Sequence, residues 1–343
     1  MQLNRINKYL IFLISLILLQ ACRHDDFLVY EGNTETRNVG DYIGNNFDLS
    51  LFYAALVKTD VLKEITSNQK VTVFAPTNAA FNALGIYRAS DFDKVDQDSL
   101  KRMVYFHIMT RVLASDDIPV KTLDTKYQNL AGKNLIISKH AGTNAWDKTR
   151  VFVNGSESNR FDITLTNGIL NIVNACFKYQ EGNIQDFLSG RREYSTFVTA
   201  LKKFGYWESL ANGSWTVLAP DNKAFEKEGI SSDSISRMVP EKFYNRFMGV
   251  YIFETSIFLT DLELSKQSLN AEIKGDPMMS RTLNYNVDIR WNAISTQEVD
   301  QYAKTTPLSK HNRVNYLTDN GTVHNIEKLL FRPNEASLPS IGK

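Results

Sequence analysis

The chain has 343 residues, 43% of them hydrophobic, with 39 Lys and Arg against 38 Asp and Glu. That is material for two cores of ordinary domain size. A formal net charge of +1 and the absence of a long basic run remove the electrostatic term that dominates nucleic-acid binding, so DNA and RNA are not expected partners.

In chain order, the first element is a leader. Arg5 and Lys8 precede an apolar run, Tyr9 to Leu19, interrupted only by Ser15. A bilayer core takes about 20 apolar residues, so this run reads as a secretory signal rather than a span. Leu19, Gln20, Ala21 and Cys22 come next and resemble the lipobox of bacterial lipoproteins. The resemblance implies a signal peptide over 1–21, acylation of Cys22 and a tether over 22–37; the alternative is a signal without lipidation. Several acyl chains hold where one is marginal. Asp25 and Asp26 resemble the acidic export tag of some Gram-negative surface lipoproteins, which implies outer-membrane attachment facing outward, with a periplasm-facing protein as the alternative. No later segment is long and apolar enough to span. With Cys22 acylated only Cys176 remains, which leaves no intrachain disulfide and reads as a small buried apolar residue.

Beyond the tether the chain is a tandem duplication. TVFAPTNAAF at Thr72 to Phe81 returns 144 residues later as TVLAPDNKAF at Thr216 to Phe225. This period is too long for a solenoid unit. Upstream, Phe52, Ala55, Leu56, Leu62 and Ile65 answer Phe197, Ala200, Leu201, Trp207 and Leu210 with the spacing of an amphipathic helix. Downstream, TNGILNIVNACF and DNGTVHNIEKLLF each place Asn-Gly before an apolar run, a hairpin signal attributed to the positive φ that both residues tolerate. Domains are expected at 38–180 and 181–333, with a tail at 334–343.

These strings resemble the two boxes of fasciclin (FAS1) domains, and Tyr105, Phe106 and His107 resemble that family's Tyr-x-His element. The resemblance implies an α+β fold: two domains, each a wedge of mostly antiparallel strands packed with short helices. In the second repeat Tyr251 is matched to Tyr105, and Phe253 to His107. The stretch from Glu263 to Val314 does not match well. The family motif residues Thr72, Phe74, Pro76, Asn78, Phe81, Thr216, Pro220, Asn222 and Phe225 read as a strand-to-helix corner. The prolines end the strands, Asn78 and Asn222 cap the helices, and the phenylalanines anchor them. The corner lacks the glycines and Lys of a phosphate loop.

Chemistry has little support. His107 shares a helical face with Leu100, Met103, Val104 and Ile108 and reads as a packed core histidine. No HExxH, paired CxxC or GxSxG string is present, so neither a metal, another cofactor nor a catalytic residue is expected. Asp117 and Ile118 resemble a dipeptide implicated in adhesion by animal fasciclin proteins; the bland reading is a loop acid before a core isoleucine. Trp146, in a polar connection, and Trp291, in the poorly matched stretch, are the recognition candidates, able to stack on a sugar or anchor a protein. The expectation is a lipid-anchored, non-catalytic binding or adhesion protein that contacts extracellular polymer or protein. The alternatives are an accessory subunit of an outer-membrane nutrient (glycan) transporter complex and a structural envelope spacer.

Overall fold

The computed structural model describes residues 37–338 apart from 68–69, 121, 123, 143–147, 244–245, 259, 262–284, 291–292, 299–303 and 308–312. Cys22, Trp146 and Trp291 lie outside the described residues.

The first domain opens with α1 (Val39–Gly44), whose N-cap Asn38 accepts the Asp41 amide, then α2 (Ser50–Lys58) and α3 (Val61–Thr66). The expected stripe holds: Phe52, Ala55, Leu56 and Ile65 are all buried. β1 (Val71–Pro76) is buried at every residue. Successive strand residues point to opposite faces, and both faces are covered. Val71, Val73 and Ala75 pack with the helices, while Phe74 enters a second cluster with Phe106 and Phe177. After β1 come α4 (Asn78–Asn82), α5 (Gln97–Phe106), β2 (Ile108–Met109), β3 (Lys126–Gln128), β4 (Asn134–His140), β5 (Arg150–Val153), β6 (Ser156–Leu165) and β7 (Gly168–Val173). The sheet order is β2-β1-β7-β6-β5-β4-β3. Only β1 and β7 run parallel within it.

The second domain repeats the plan with α6 (Ile184–Ser189), α7 (Ser195–Lys203), β8 (Trp215–Pro220), α8 (Asn222–Glu226), α9 (Ser232–Ser236), α10 (Arg246–Gly249) and β9 (Ile252–Phe253). The poorly matched stretch contributes β10 (Tyr285–Arg290), β11 (Ala293–Glu298) and β12 (Lys304–Pro307), a separate antiparallel sheet. β13 (Tyr316–Thr318) and β14 (Gly321–Ile326) close the domain in a sheet ordered β13-β14-β8-β9, with β14 and β8 parallel. α11 (Pro333–Ala336) packs Ala336 into this core, and Ser337 bridges to Phe243. The chain thus keeps contact with the second domain as far as Ser337.

The Asn-Gly hairpins form, and the expected positive φ is found at Gly168 and Gly321 but at neither Asn167 nor Asn320. Asn167 instead accepts the Val39 amide at the start of α1 and donates to the Ile65 carbonyl at the end of α3. Asn320 does the same with Ile184 and Leu210. The glycines are needed for close approach: a Cβ on Gly168 would stand 1.9 Å from the Val71 carbonyl oxygen, and one on Gly321 2.0 Å from that of Trp215.

The two domains share packing. Phe258 and Leu317, from the second domain, belong to the same buried cluster as Phe106, Leu135, Ile137 and Phe177 of the first. The connection between them lies along β13, with Leu317 N–H donating to the Lys178 carbonyl and Gln180 N–H to the Leu317 carbonyl, at 2.9 and 2.8 Å. Gly155, at φ +75°, sits where a Cβ would meet the Phe258 ring and the Asn315 amide at 2.8 Å.

Candidate functional site

The threonine, asparagine and aspartate side chains of the repeated box are committed to the scaffold. Thr72 donates to the Arg111 carbonyl at 2.7 Å and accepts the Leu113 amide at 2.9 Å, which ties the chain after β2 to β1. Thr216 repeats both bonds with Thr255 and Ile257, at 2.6 and 2.8 Å. Asn78 and Asn222 do not cap the helices they begin; Thr77 and Asp221 do. Asn78 reaches back to α2, accepting the Leu51 amide at 2.9 Å and donating to the Phe47 carbonyl and the Ser50 hydroxyl. Asn222 makes the equivalent bonds to Thr196, Arg192 and Ser195. Each asparagine thus satisfies an amide that the first turn of another helix leaves without a partner. Pro76 and Pro220 end their strands opposite Val173 and Ile326, and Phe74, Phe81 and Phe225 are fully buried. Tyr105 is half-buried; its hydroxyl donates to Glu64, and Lys101 lies over its ring.

The histidine correspondence needs correction. β2 pairs Thr72 with Met109, and β9 pairs Thr216 with Phe253. Phe253 is therefore the equivalent of Met109, and the counterpart of His107 is Tyr251. His107 Nδ1–H donates to the Met103 carbonyl, and Nε2 accepts the Phe177 amide at 3.1 Å, with the ring stacked on Phe177. The Tyr251 hydroxyl likewise accepts the Leu330 amide at 2.8 Å. Burial pushes His107 down to about 4 and holds the Tyr251 hydroxyl well above its ordinary range. His324 is buried too and pushed down to about 4 by burial. Its Nδ1 accepts the Asn315 amide at 3.1 Å, as Asn171 accepts that of Asp162 at 3.0 Å in the first domain. Each histidine is thus exchanged in the sister domain for a neutral acceptor doing the same work. Neither serves as a proton carrier near neutral pH.

Cys176 is buried, and burial pushes its thiol up to about 12, so it is no nucleophile. Ile118 is 5% exposed and packs in the shared cluster, so of the candidate dipeptide only Asp117 faces solvent. Its carboxylate accepts the Ala114 amide. Among the described residues, no group of three or more His, Cys, Asp or Glu is arranged to hold a metal ion.

The groups that sequence reasoning missed lie between the domains. Asp261 is the counterpart of Asp117: it accepts the Phe258 amide at 2.7 Å just as Asp117 accepts that of Ala114. There the likeness ends, for Asp261 is buried and also accepts from the Ser138 hydroxyl of β4 at 2.6 Å. Burial pushes its carboxyl from 3.8 up to about 6; the Ser138 and Phe258 hydrogen bonds oppose this and the charge of Asp124 adds to it. Beside it, Ser214 donates to Asp124 and contacts Ser256, and Lys126 pairs with Asp124 at 3.4 Å. At the outer edge Asp319 accepts from Lys133 at 2.7 Å and from the Tyr179 hydroxyl. These groups flank a cleft of about 210 Å³ lined by Lys126, Lys133, Asn134, Tyr179, Ser256 and Asp319 among others. Small-molecule sites run to about 300–1,000 Å³, so this is a seam with room for solvent rather than a substrate pocket.

Comparison with known proteins agrees with this architecture. The Fasciclin domain family model matches residues 47–178 and 192–332. Human periostin is 28% identical over 200 residues, 57% of this chain and 22% of its own length. The transforming growth factor-beta-induced protein ig-h3 of Sus scrofa is 23% identical over 287 residues, 82% of this chain and 38% of its own. The chain thus spans well under half of either relative. Among solved structures, a FAS1 domain pair from the insect cell adhesion molecule fasciclin I aligns at 18% identity and a TM-score of 0.34, covering 84% of this chain and 98% of that one. With the family model covering both repeats, the chain belongs to the fasciclin-domain family and carries two of these domains in tandem.

Proposed function

We propose that the protein is a non-catalytic binding or adhesion protein, held at the outer membrane by lipid on Cys22 and presenting its two fasciclin domains outward as one unit. The observation that supports this best is the fate of the repeated polar residues. Thr72, Asn78, His107 and their counterparts Thr216, Asn222 and Tyr251 all make hydrogen bonds to the backbone of neighbouring elements of the same chain. A hydrolase or transferase needs an acid, base or nucleophile aimed at a reacting atom; these groups are aimed at the scaffold. Family membership supports the same reading, since the resemblance to animal fasciclin proteins implies adhesion. The shared core favours contact with a large partner, because two domains that move together present one continuous surface.

The test has two arms. Purified mature protein is screened at micromolar concentration against glycans, matrix proteins and intact cells, with saturable binding expected to at least one. Crosslinking on intact cells then identifies what sits beside it. Recovery of an outer-membrane transporter would replace adhesion with an accessory role in nutrient uptake. No binding and no partner, together with loss of envelope integrity on deletion, would replace it with a spacer.

A further inference from the structure

Asparagine followed by glycine is a chemically labile pair, because the glycine nitrogen can reach the asparagine side-chain carbonyl with no Cβ in its way. Asn-Gly occurs four times in this chain, at Asn154, Asn167, Asn212 and Asn320. Three of these are held. Asn154 and Asn167 are buried, and Asn320 is half-buried. The Asn154 carboxamide accepts the Ile136 amide at 2.8 Å, and those of Asn167 and Asn320 each join the start of one helix to the end of another helical segment. None can turn toward its glycine without giving up these bonds. Asn212 differs in each respect. It is exposed, it closes the short helical turn Glu208–Ala211, and its carboxamide makes no hydrogen bond among the described residues. Attack needs rotation about its ψ, now 168°, which releases only the Trp215 indole from the Asn212 carbonyl. The fold dictates the glycine, since Gly213 has φ +95° and a Cβ there would lie 2.9 Å from the Trp215 indole nitrogen. It does not dictate the asparagine. The first domain has Asn68 at the equivalent position but follows it with Gln69, so at this position only the second copy joins asparagine to glycine.

We propose that Asn212 is a site of spontaneous deamidation whose product loosens the seam between the two domains. The Gly213 nitrogen gives up its proton and bonds to Asn212 Cγ, the Cγ–Nδ2 bond breaks, and Nδ2 leaves with that proton as ammonia. Water then opens the ring imide. Opening at Cγ yields aspartate, and opening at the former peptide carbonyl yields isoaspartate; one water is consumed and one ammonia released in either case. Both products carry a carboxylate two residues from Ser214, whose hydroxyl donates to Asp124 of the first domain and accepts from Lys126 at 3.0 Å. Isoaspartate also adds one carbon to the main chain just before Ser214. It turns the carbonyl that serves Trp215 into a free carboxylate, so the indole of a residue in the second core is left to find a new acceptor. The covalent change therefore falls on the segment that carries Ser214 across the seam and leads into β8.

The test incubates purified mature protein in mildly alkaline buffer and follows each Asn-Gly pair by peptide mapping, with isoaspartyl methyltransferase labelling to mark isoaspartate. Conversion at Asn212 is expected to run at least about tenfold faster than at Asn154, Asn167 and Asn320, which must open locally before they can react. Asn68 should also lag, since the Gln69 side chain crowds the attacking nitrogen. Asn212→Ser, at an exposed position whose side chain bonds to nothing among the described residues, should fold normally and lose the label in that peptide. Hydrogen exchange then reads the seam. The Trp215 indole and the Leu317 and Gln180 amides, the last two bonded between the domains, should exchange several-fold faster in incubated wild type than in incubated Asn212→Ser. Absence of conversion at Asn212, or equal conversion at all four pairs, overturns the assignment. Conversion at Asn212 with unchanged exchange at all three positions overturns the link to the seam.

Discussion

Asp261 makes the interface between the domains sensitive to protons, and the sign of the effect comes from its burial. Its carboxyl is raised from 3.8 to about 6 in the folded protein. The folded state therefore holds a proton that the unfolded state has already released between these pH values. Stability from this group is fully present below about pH 4 and is lost as pH rises through about 6. A shift of about two units corresponds to ~3 kcal/mol, so at neutral pH the buried carboxylate costs the fold about that much. Asp261→Asn keeps the size and an oxygen for the Phe258 amide, but cannot ionise. Net gain at pH 7.5 should be about 1–3 kcal/mol, since the amide replaces charge-assisted bonds with weaker ones. The assay is urea unfolding of both proteins from pH 4 to 7.5, read as the difference between them. Taking the difference cancels His107, His324 and the surface carboxylates. The difference should grow with pH and level off above about 6.5, and a carbon-13 titration of the Asp261 carboxyl in the folded protein should have its midpoint at about 6. A flat difference, or a variant less stable at pH 7.5 than at pH 4 relative to wild type, would refute the reasoning and mean that hydrogen bonds from Ser138 and Phe258 outweigh desolvation.

His107 gives the opposite slope. It is depressed from 6.5 to about 4 by burial, so its contribution is present above 6.5 and lost as pH falls toward 4; His107→Phe should flatten that acid loss by up to ~3 kcal/mol. The same variant should cost about 1–3 kcal/mol at pH 7.5, because the Phe177 amide loses its acceptor, whereas His107→Tyr, copying the second domain, should recover part of it; thermal melts at both pH values separate the two. Gly168→Ala and Gly321→Ala should each cost at least the roughly 1–3 kcal/mol of an overpacked core, since the added methyl meets backbone oxygen rather than a mobile side chain; soluble yield and urea midpoints report it. Asn78→Ala should cost about 1–2 kcal/mol through the loss of a helix N-terminal acceptor, and Asn222→Ala a similar amount in the second domain; hydrogen exchange at Leu51 and Thr196 should quicken locally in each.

How much of the molecule is legible in the sequence depends on how far apart the partners are along the chain. The duplication, the helix stripe and the strand-to-helix corner are local patterns, and each appears where the spacing puts it. A local rule gives Asn78 to the nearest helix, while the amide it serves lies 27 residues upstream. The histidine mismatch is different in kind. Matching by the look of a short string sets Phe253 against His107, two residues out of step with the box. The constant spacing from Thr72 and Thr216 places Tyr251 opposite His107, and pairing of β2 and β9 confirms that register. That spacing also leads from Asp117 to Asp261, so the missed carboxylate is within reach of the repeat, although its burial is not. In both domains the aspartate accepts the amide three residues before it. The difference between a solvated carboxylate and one raised to about 6 lies in Ser138 and the shared cluster, more than a hundred residues away on the other domain. A tandem sequence therefore tells which bonds each copy makes with itself. The chemistry peculiar to one copy arises where the other copy covers it, and at that seam the two halves stop being interchangeable.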